Sequence, residues 1–176
     1  VDSRISAPLI RMPIWAPRPA PTSRAVGVAR PSAHGQAMIR TATAAVKANP
    51  APEVLSLLAS MGSCFDTATV AEIEMALAAG ATPDRISYGN TIKKERDIAR
   101  AFALGVRLFA VDCKAEVEKV ARAAPEAKVF CRILCDGAGA EWPLSRKFGC
   151  DPSMAADVIE HAHRLGLNAY GISFHV

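Results

Sequence analysis

From residue 44 to residue 176, short apolar runs alternate with amphipathic stretches at a spacing of about 21 residues, one strand plus one helix. The apolar runs at 44–47, 64–69, 85–88, 107–111, 128–134 and 168–174 read as six strands. The segments PEVLSLLASMG, VAEIEMALAAG, KKERDIARAFALG, KAEVEKVARAA and 152–165 read as helices, four of them stopped by Gly62, Gly80, Gly105 and Gly166. Only the last interval is longer, because a polar loop of roughly a dozen residues follows the fifth strand. Strands alternating with helices require parallel pairing through βαβ crossovers. A doubly wound sheet and a (β/α)8 barrel both satisfy that pattern. The first βα turn lacks the glycine-rich fingerprint of a dinucleotide-binding sheet, and the regular repeat favours the barrel. A full barrel has eight units in typically about 250 residues. The expected fold is therefore α/β: a partial (β/α)8 TIM barrel with about six of its eight strands.

Residues 1–43 form a different region, holding six of the 12 prolines and no sustained periodicity. Its six arginines (Arg4, Arg11, Arg18, Arg24, Arg30, Arg40), without lysine and with Asp2 as the one acid, carry a charge of +5. The remainder carries −1, so the net +4 belongs to this leader and nucleic-acid binding is not expected of the globular part. An organelle transit peptide and a reading-frame slip in a GC-rich gene both account for such a composition. The domain division expected is an irregular Pro/Arg-rich leader over 1–43 and a barrel domain over 44–176. A hydrophobic fraction of 51% with 22% charged residues excludes a wholly disordered chain. No apolar run approaches the roughly 18 residues of a membrane helix.

In a barrel the reacting groups stand at the C-terminal ends of the strands, and those ends are polar here. In order they offer Lys47, Asp66, Asn90, Asp112, Asp136 in the long loop, and His175. A lysine closing the apolar run TAAVK is either a snorkelling surface residue or a nucleophilic amine of the kind that forms a Schiff base with an aldehyde. The five cysteines show no zinc-like pairing. Cys131 and Cys135, in VFCRILC, are expected to share one buried face of a strand and to act as small hydrophobes, which fits a reducing cytoplasm. No metal site is expected. His161 and His163, two apart in a helix, are expected on the surface.

Four separated motifs extend this reading: KANPAPEVLSLLASMGSCFDTATVAEIEMALAAG, ISYGNTIKK, PLSRKFG and GISFHV. Together they resemble the bacterial branch of the ornithine decarboxylase family, among the alanine-racemase-like barrel enzymes that use pyridoxal 5′-phosphate (PLP). The resemblance spans residues 45–176, in order and at family spacing; residues 1–43 do not resemble the family's usual start. It implies that Lys47 forms the Schiff base with PLP, although the family's tyrosine in that motif is Ala44 here. It implies that Asp66 lies near the cofactor with Glu72 in the same network, and that His175 stacks on the pyridine ring. Apart from the motifs, a glutamate on a helix reads as solvated and a histidine at a strand end reads equally as a satisfied core or rim residue. Arg132 takes a motif position, with a buried structural ion pair as its alternative. Arg146 is assigned the charge that some members place just before the Leu-Ser pair, where this chain has Pro143.

The activity implied is PLP-dependent decarboxylation of a basic amino acid, foremost L-ornithine to putrescine in polyamine biosynthesis, by a cytoplasmic homodimer. GSCFDTAT differs from the corresponding stretch of the diaminopimelate branch, which favours ornithine, with lysine and arginine as alternatives. The family's glycine-rich phosphate loop, the glutamate at the ring nitrogen and a cysteine from across the dimer interface all follow the sixth strand, as does a C-terminal β-domain. The chain as given is expected to lack them and to be catalytically silent alone. A non-catalytic truncated paralogue that binds PLP or a full-length subunit, and a fragment without function, are the other readings.

Overall fold

A computed structural model describes residues 43–135 and 148–174 of the 176-residue chain. The described residues form six strands: β1 (Thr43–Ala45), β2 (Cys64–Thr67), β3 (Ile86–Tyr88), β4 (Leu108–Val111), β5 (Lys128–Ile133) and β6 (Asn168–Phe174). All neighbours pair in parallel and lie in sequence order across one sheet, β1-β2-β3-β4-β5-β6. A doubly wound sheet reverses its strand order at a switch point. The absence of a reversal decides for the barrel arrangement. The helices are α1 (Pro52–Ser60), α2 (Val70–Ala78), α3 (Glu95–Ala103), α4 (Lys114–Ala123) and α5 (Pro152–Arg164).

Local sequence explains where these elements begin and end. Asn49 Oδ1 accepts the Ala51 amide at 3.1 Å and Pro52 occupies the first turn of α1. The Thr69 hydroxyl caps α2 by accepting the Glu72 amide at 3.2 Å. Asp151 caps α5 through the Ser153 amide at 2.8 Å. Helices α1, α2, α3 and α5 stop one or two residues before the glycines expected to stop them. Helix α4 has no glycine. It ends at Ala123; the capping Ala124, which precedes Pro125, leaves the helical region at φ −145° and ψ 69°, and Glu126 follows at φ 61°.

Strand residues alternate between two faces. Phe65, Ile86 and Phe109 pack with Leu55, Ile73, Ile98, Val117 and Val120 into the core between sheet and helices. Asp66 and Ser87, paired in register, therefore lie on the opposite, barrel-interior face. On β5 the same alternation places Phe130 and Arg132 on the interior and Val129, Cys131 and Ile133 on the helix side.

Three boundary expectations are corrected. Strand β1 ends at Ala45, and Lys47 sits on a single 3-10 turn, Val46–Ala48, because Val46 buries fully and turns the chain off the sheet. Helix α3 starts at Glu95 rather than at residue 93, because Lys93 is buried in the preceding loop. Strand β5 ends at Ile133, so Cys135 lies beyond it and does not share a strand face with Cys131. His161 is half-buried against α4, 3.2 Å from the Glu118 carboxylate, whereas His163 is exposed as expected.

Candidate functional site

The parallel sheet carries its βα turns to one end, and four of the expected site residues meet there. Ala45 is in register with Asp66, and Asp66 with Ser87, so Lys47 follows β1 directly beside the end of β2. Lys47 is exposed. The Ser87 hydroxyl donates to Asp66 Oδ1 at 3.0 Å. Burial raises the Asp66 pKa; the Ser87 hydrogen bond and the charges of Lys47 and Arg132 oppose the shift, and Glu72 reinforces it. The Asp66 carboxylate thus senses Lys47, Arg132 and Glu72 together.

Space for that carboxylate depends on Gly89. A Cβ at this position would overlap the Asp66 carboxylate, so the turn after β3 must carry a glycine here. The Gly89 amide in turn donates to Thr67 O at 2.8 Å, tying this turn to β2. Glu72 is partly buried rather than solvated. Its Oε2 accepts the Ala68 amide at 2.8 Å, which fixes the turn between Asp66 and α2. The Arg132 guanidinium stands 5.8 Å from the centre of the Phe148 ring. Asp112, at the end of β4, accepts the Gly149 amide at 3.2 Å and so anchors the return of the long loop. Asp136, Arg146 and His175 lie outside the described residues.

Lys93, which the sequence presents only as part of a polar helix start, belongs to the framework of the site. Its side chain is 0% exposed, and its ammonium lies 2.8 Å from Asn90 O, 2.5 Å from Ala110 O and 3.0 Å from Glu116 Oε1. Glu116, 3% exposed, also accepts the Lys93 amide at 3.1 Å and pairs with Lys119 at 2.5 Å. Lys119 closes the cluster by donating to Lys93 O at 2.6 Å. Burial lowers the Lys93 pKa, opposed by Glu116. Beside it, burial pushes the Tyr88 phenol up to about 12, so the ring facing the ammonium is neutral at physiological pH. The cluster clamps the 89–94 loop, which carries Gly89 and Asn90, to β4 and α4. The sequence signal was slight: two adjacent lysines look like the polar start of a helix.

Among the described residues no group of three or more His, Cys, Asp or Glu is placed to hold a metal ion, and no helix is long and apolar enough to cross a membrane.

Comparison with known proteins identifies the arrangement. Residues 31–176 match the family model described as pyridoxal-dependent decarboxylase, pyridoxal binding domain. The chain is 41% identical over 132 residues to a lysine/ornithine decarboxylase of Selenomonas ruminantium, covering 75% of this chain and 34% of that protein. It is 39% identical over 132 residues to ornithine decarboxylase of Rattus norvegicus, covering 75% and 29%. The chain thus spans about a third of the length of the curated relatives it matches. Among solved structures, the arginine decarboxylase of Paramecium bursaria Chlorella virus superposes with a TM-score of 0.71 at 32% identity, over 75% of this chain and 36% of that one. A lysine decarboxylase from Selenomonas ruminantium gives 0.71 at 39% identity, over 78% and 36%. The six sequential strands, the polar mouth and these matches establish that the chain belongs to the pyridoxal-binding domain family of the pyridoxal-dependent decarboxylases.

Proposed function

We propose that this chain supplies the cofactor-binding part of a PLP-dependent decarboxylase of basic amino acids, with L-ornithine as substrate and putrescine as product. The observation that carries the reading is the convergence of an exposed primary amine, Lys47, with the charges of Asp66, Arg132 and Glu72 at one end of the sheet. The donor set fits PLP: an accessible amine to attach to an aldehyde, a carboxylate that feels both that amine and a guanidinium, and a glycine at 89 that leaves the carboxylate its place. Bound there, PLP supplies an electron sink for the carbanion left when carbon dioxide departs.

The chain's own residues do the rest. Lys47, exposed on a single 3-10 turn, would hold the cofactor through its primary amine. Ser87 and Gly89 hold the Asp66 carboxylate in a single orientation, so its charge stands at a fixed place beside Lys47. Arg132 balances that charge from β5. Glu72, tied to Ala68, keeps the β2–α2 turn closed. On the family resemblance, His175 is assigned to packing against the cofactor ring and Arg146 to further positive charge. The working protein is assigned as a cytoplasmic homodimer on the same ground.

Ornithine is favoured by the GSCFDTAT stretch and by the lysine/ornithine and ornithine decarboxylases among the relatives. Two experiments test the proposal. Incubation of the full chain with PLP, borohydride reduction and peptide mapping should place the cofactor on Lys47 in preference to the other six of the seven lysines. The native protein, captured from its source cells with an antibody to the PLSRKFG peptide, should release labelled carbon dioxide from carboxyl-labelled ornithine faster than from lysine or arginine. Indiscriminate labelling would overturn the cofactor assignment, and faster release from lysine or arginine would overturn the substrate assignment.

A further inference from the structure

Two of the five cysteines are brought together by the return of the long loop. Cys131 and Cys150 are 19 residues apart in sequence, yet their sulfurs are 3.5 Å apart and both residues are buried. The backbone holds them there. The Cys150 amide donates to Arg132 O at 2.9 Å and the Leu134 amide to Cys150 O at 2.8 Å, so residue 150 pairs beside Ile133 as a short continuation of the sheet. Gly149 is held at φ 113°, where a Cβ would come within 2.8 Å of the Ile133 carbonyl carbon, and its amide is bound to Asp112. Cys131 and Ile133 share the helix-side face of β5, and Cys150 falls on that face by its register with Ile133. Forming a bond of about 2.05 Å from this starting point requires the sulfurs to close by about 1.5 Å.

We propose that Cys131 and Cys150 form a redox modification site, a thiol pair that a peroxide converts to a disulfide, stapling the Phe148–Cys150 segment to β5 beside Arg132. The order of events follows from the two environments. Burial, and then the neighbouring Cys150 thiol, push the Cys131 thiol well above its ordinary range, so Cys131 is not the first nucleophile. Cys150 is 7% exposed against 0% for Cys131, and it lies where the loop rejoins the fold. The Cys150 sulfur attacks one peroxide oxygen; an S–O bond forms, the O–O bond breaks, and the second oxygen leaves as water after taking a proton. The Cys131 sulfur then attacks the Cys150 sulfenic acid. The S–S bond forms, the S–O bond breaks, and the Cys131 proton leaves with the hydroxyl as a second water. Two thiols lose two electrons in total and the peroxide accepts them.

The bridge would fix the segment carrying Phe148, whose ring centre lies 5.8 Å from the Arg132 guanidinium, and so acts beside the interior-facing arginine of the site without touching Lys47. The assignment is independent of the cofactor reading, because its readout is the bond itself. The test treats the folded full chain with stoichiometric hydrogen peroxide and maps its peptides without reduction, with the same chain unfolded in guanidinium as the comparator. The expected result is a mass loss of two hydrogens and a single linked peptide pair containing Cys131 and Cys150, while the unfolded chain spreads its linkages over the five cysteines. In the Cys150→Ser variant the Cys131 peptide should remain a free thiol under the same treatment. A folded chain that stays fully reduced, that oxidises without the Cys131–Cys150 link, or that links other cysteines first would overturn the proposal.

Discussion

Lys93→Met removes a buried ammonium while keeping an unbranched side chain of similar length. In the wild-type protein that ammonium is 0% exposed and bound by three oxygens: Asn90 O, Ala110 O and Glu116 Oε1. Removing one partner of a buried ion pair costs about 3–5 kcal/mol, because the other charge is left behind. Glu116 would not be abandoned, since Lys119 remains 2.5 Å from its Oε2 and the Lys93 amide still reaches Oε1. The low end is therefore expected, about 3 kcal/mol, with the two orphaned carbonyls accounting for part of it. The double variant Lys93→Met/Glu116→Leu removes both buried charges but also takes Glu116 from Lys119 and from the residue-93 amide, so it should not restore wild-type stability. Its loss should be smaller than the sum of the two single losses, because each single variant breaks the same ion pair. The assay is urea unfolding of the full chain at neutral pH, with the slope compared among variants to verify that the same surface unfolds. A loss below about 0.5 kcal/mol for Lys93→Met, or full additivity in the double variant, would refute the view that this cluster clamps the 89–94 loop.

Other outcomes follow from the same geometry. Asp66 has a folded pKa raised above its ordinary 3.8 by burial, so the folded state holds this proton more tightly than the unfolded chain. That stabilisation is complete below pH 3.8 and is lost as pH rises through the folded pKa. The Asp66→Asn variant, which does not titrate, should thus gain stability relative to wild type as pH rises from the acid side, seen in urea midpoints, while capture of PLP at Lys47 weakens. Gly89→Ala should cost about 1–3 kcal/mol by forcing the new methyl against the Asp66 carboxylate, and should weaken PLP capture in the borohydride assay. Lys47→Ala should shift stability by less than about 0.5 kcal/mol, because the side chain is exposed, and should abolish selective capture of PLP.

The parts legible in the sequence were those written locally. Strand and helix alternation, and the glycines after α1, α2, α3 and α5, depend on neighbours within a few residues, and they placed every element to within a few positions. The polar strand ends likewise pointed to Lys47 and Asp66, and the register from Ala45 through Asp66 to Ser87 puts them side by side. What stayed hidden depended on distant partners. Lys93 looks like a helix start because its carboxylate partner is 23 residues further along the chain. Cys131 pairs with Cys150 across the long loop rather than sharing a strand with Cys135, because β5 stops at Ile133 and the returning segment takes the adjoining position. Glu72 had the sequence of an exposed helical residue, yet it closes the turn behind Asp66 through the Ala68 amide.

The central claim is that the mouth of this sheet is a PLP site built on Lys47. Its most direct test is borohydride trapping of PLP on the full chain followed by peptide mapping, with the Lys47→Ala variant in parallel. Saturable labelling at Lys47, lost in the variant, with little on the other lysines, is the expected result. Labelling spread evenly over the exposed lysines, and unchanged in the variant, would contradict it.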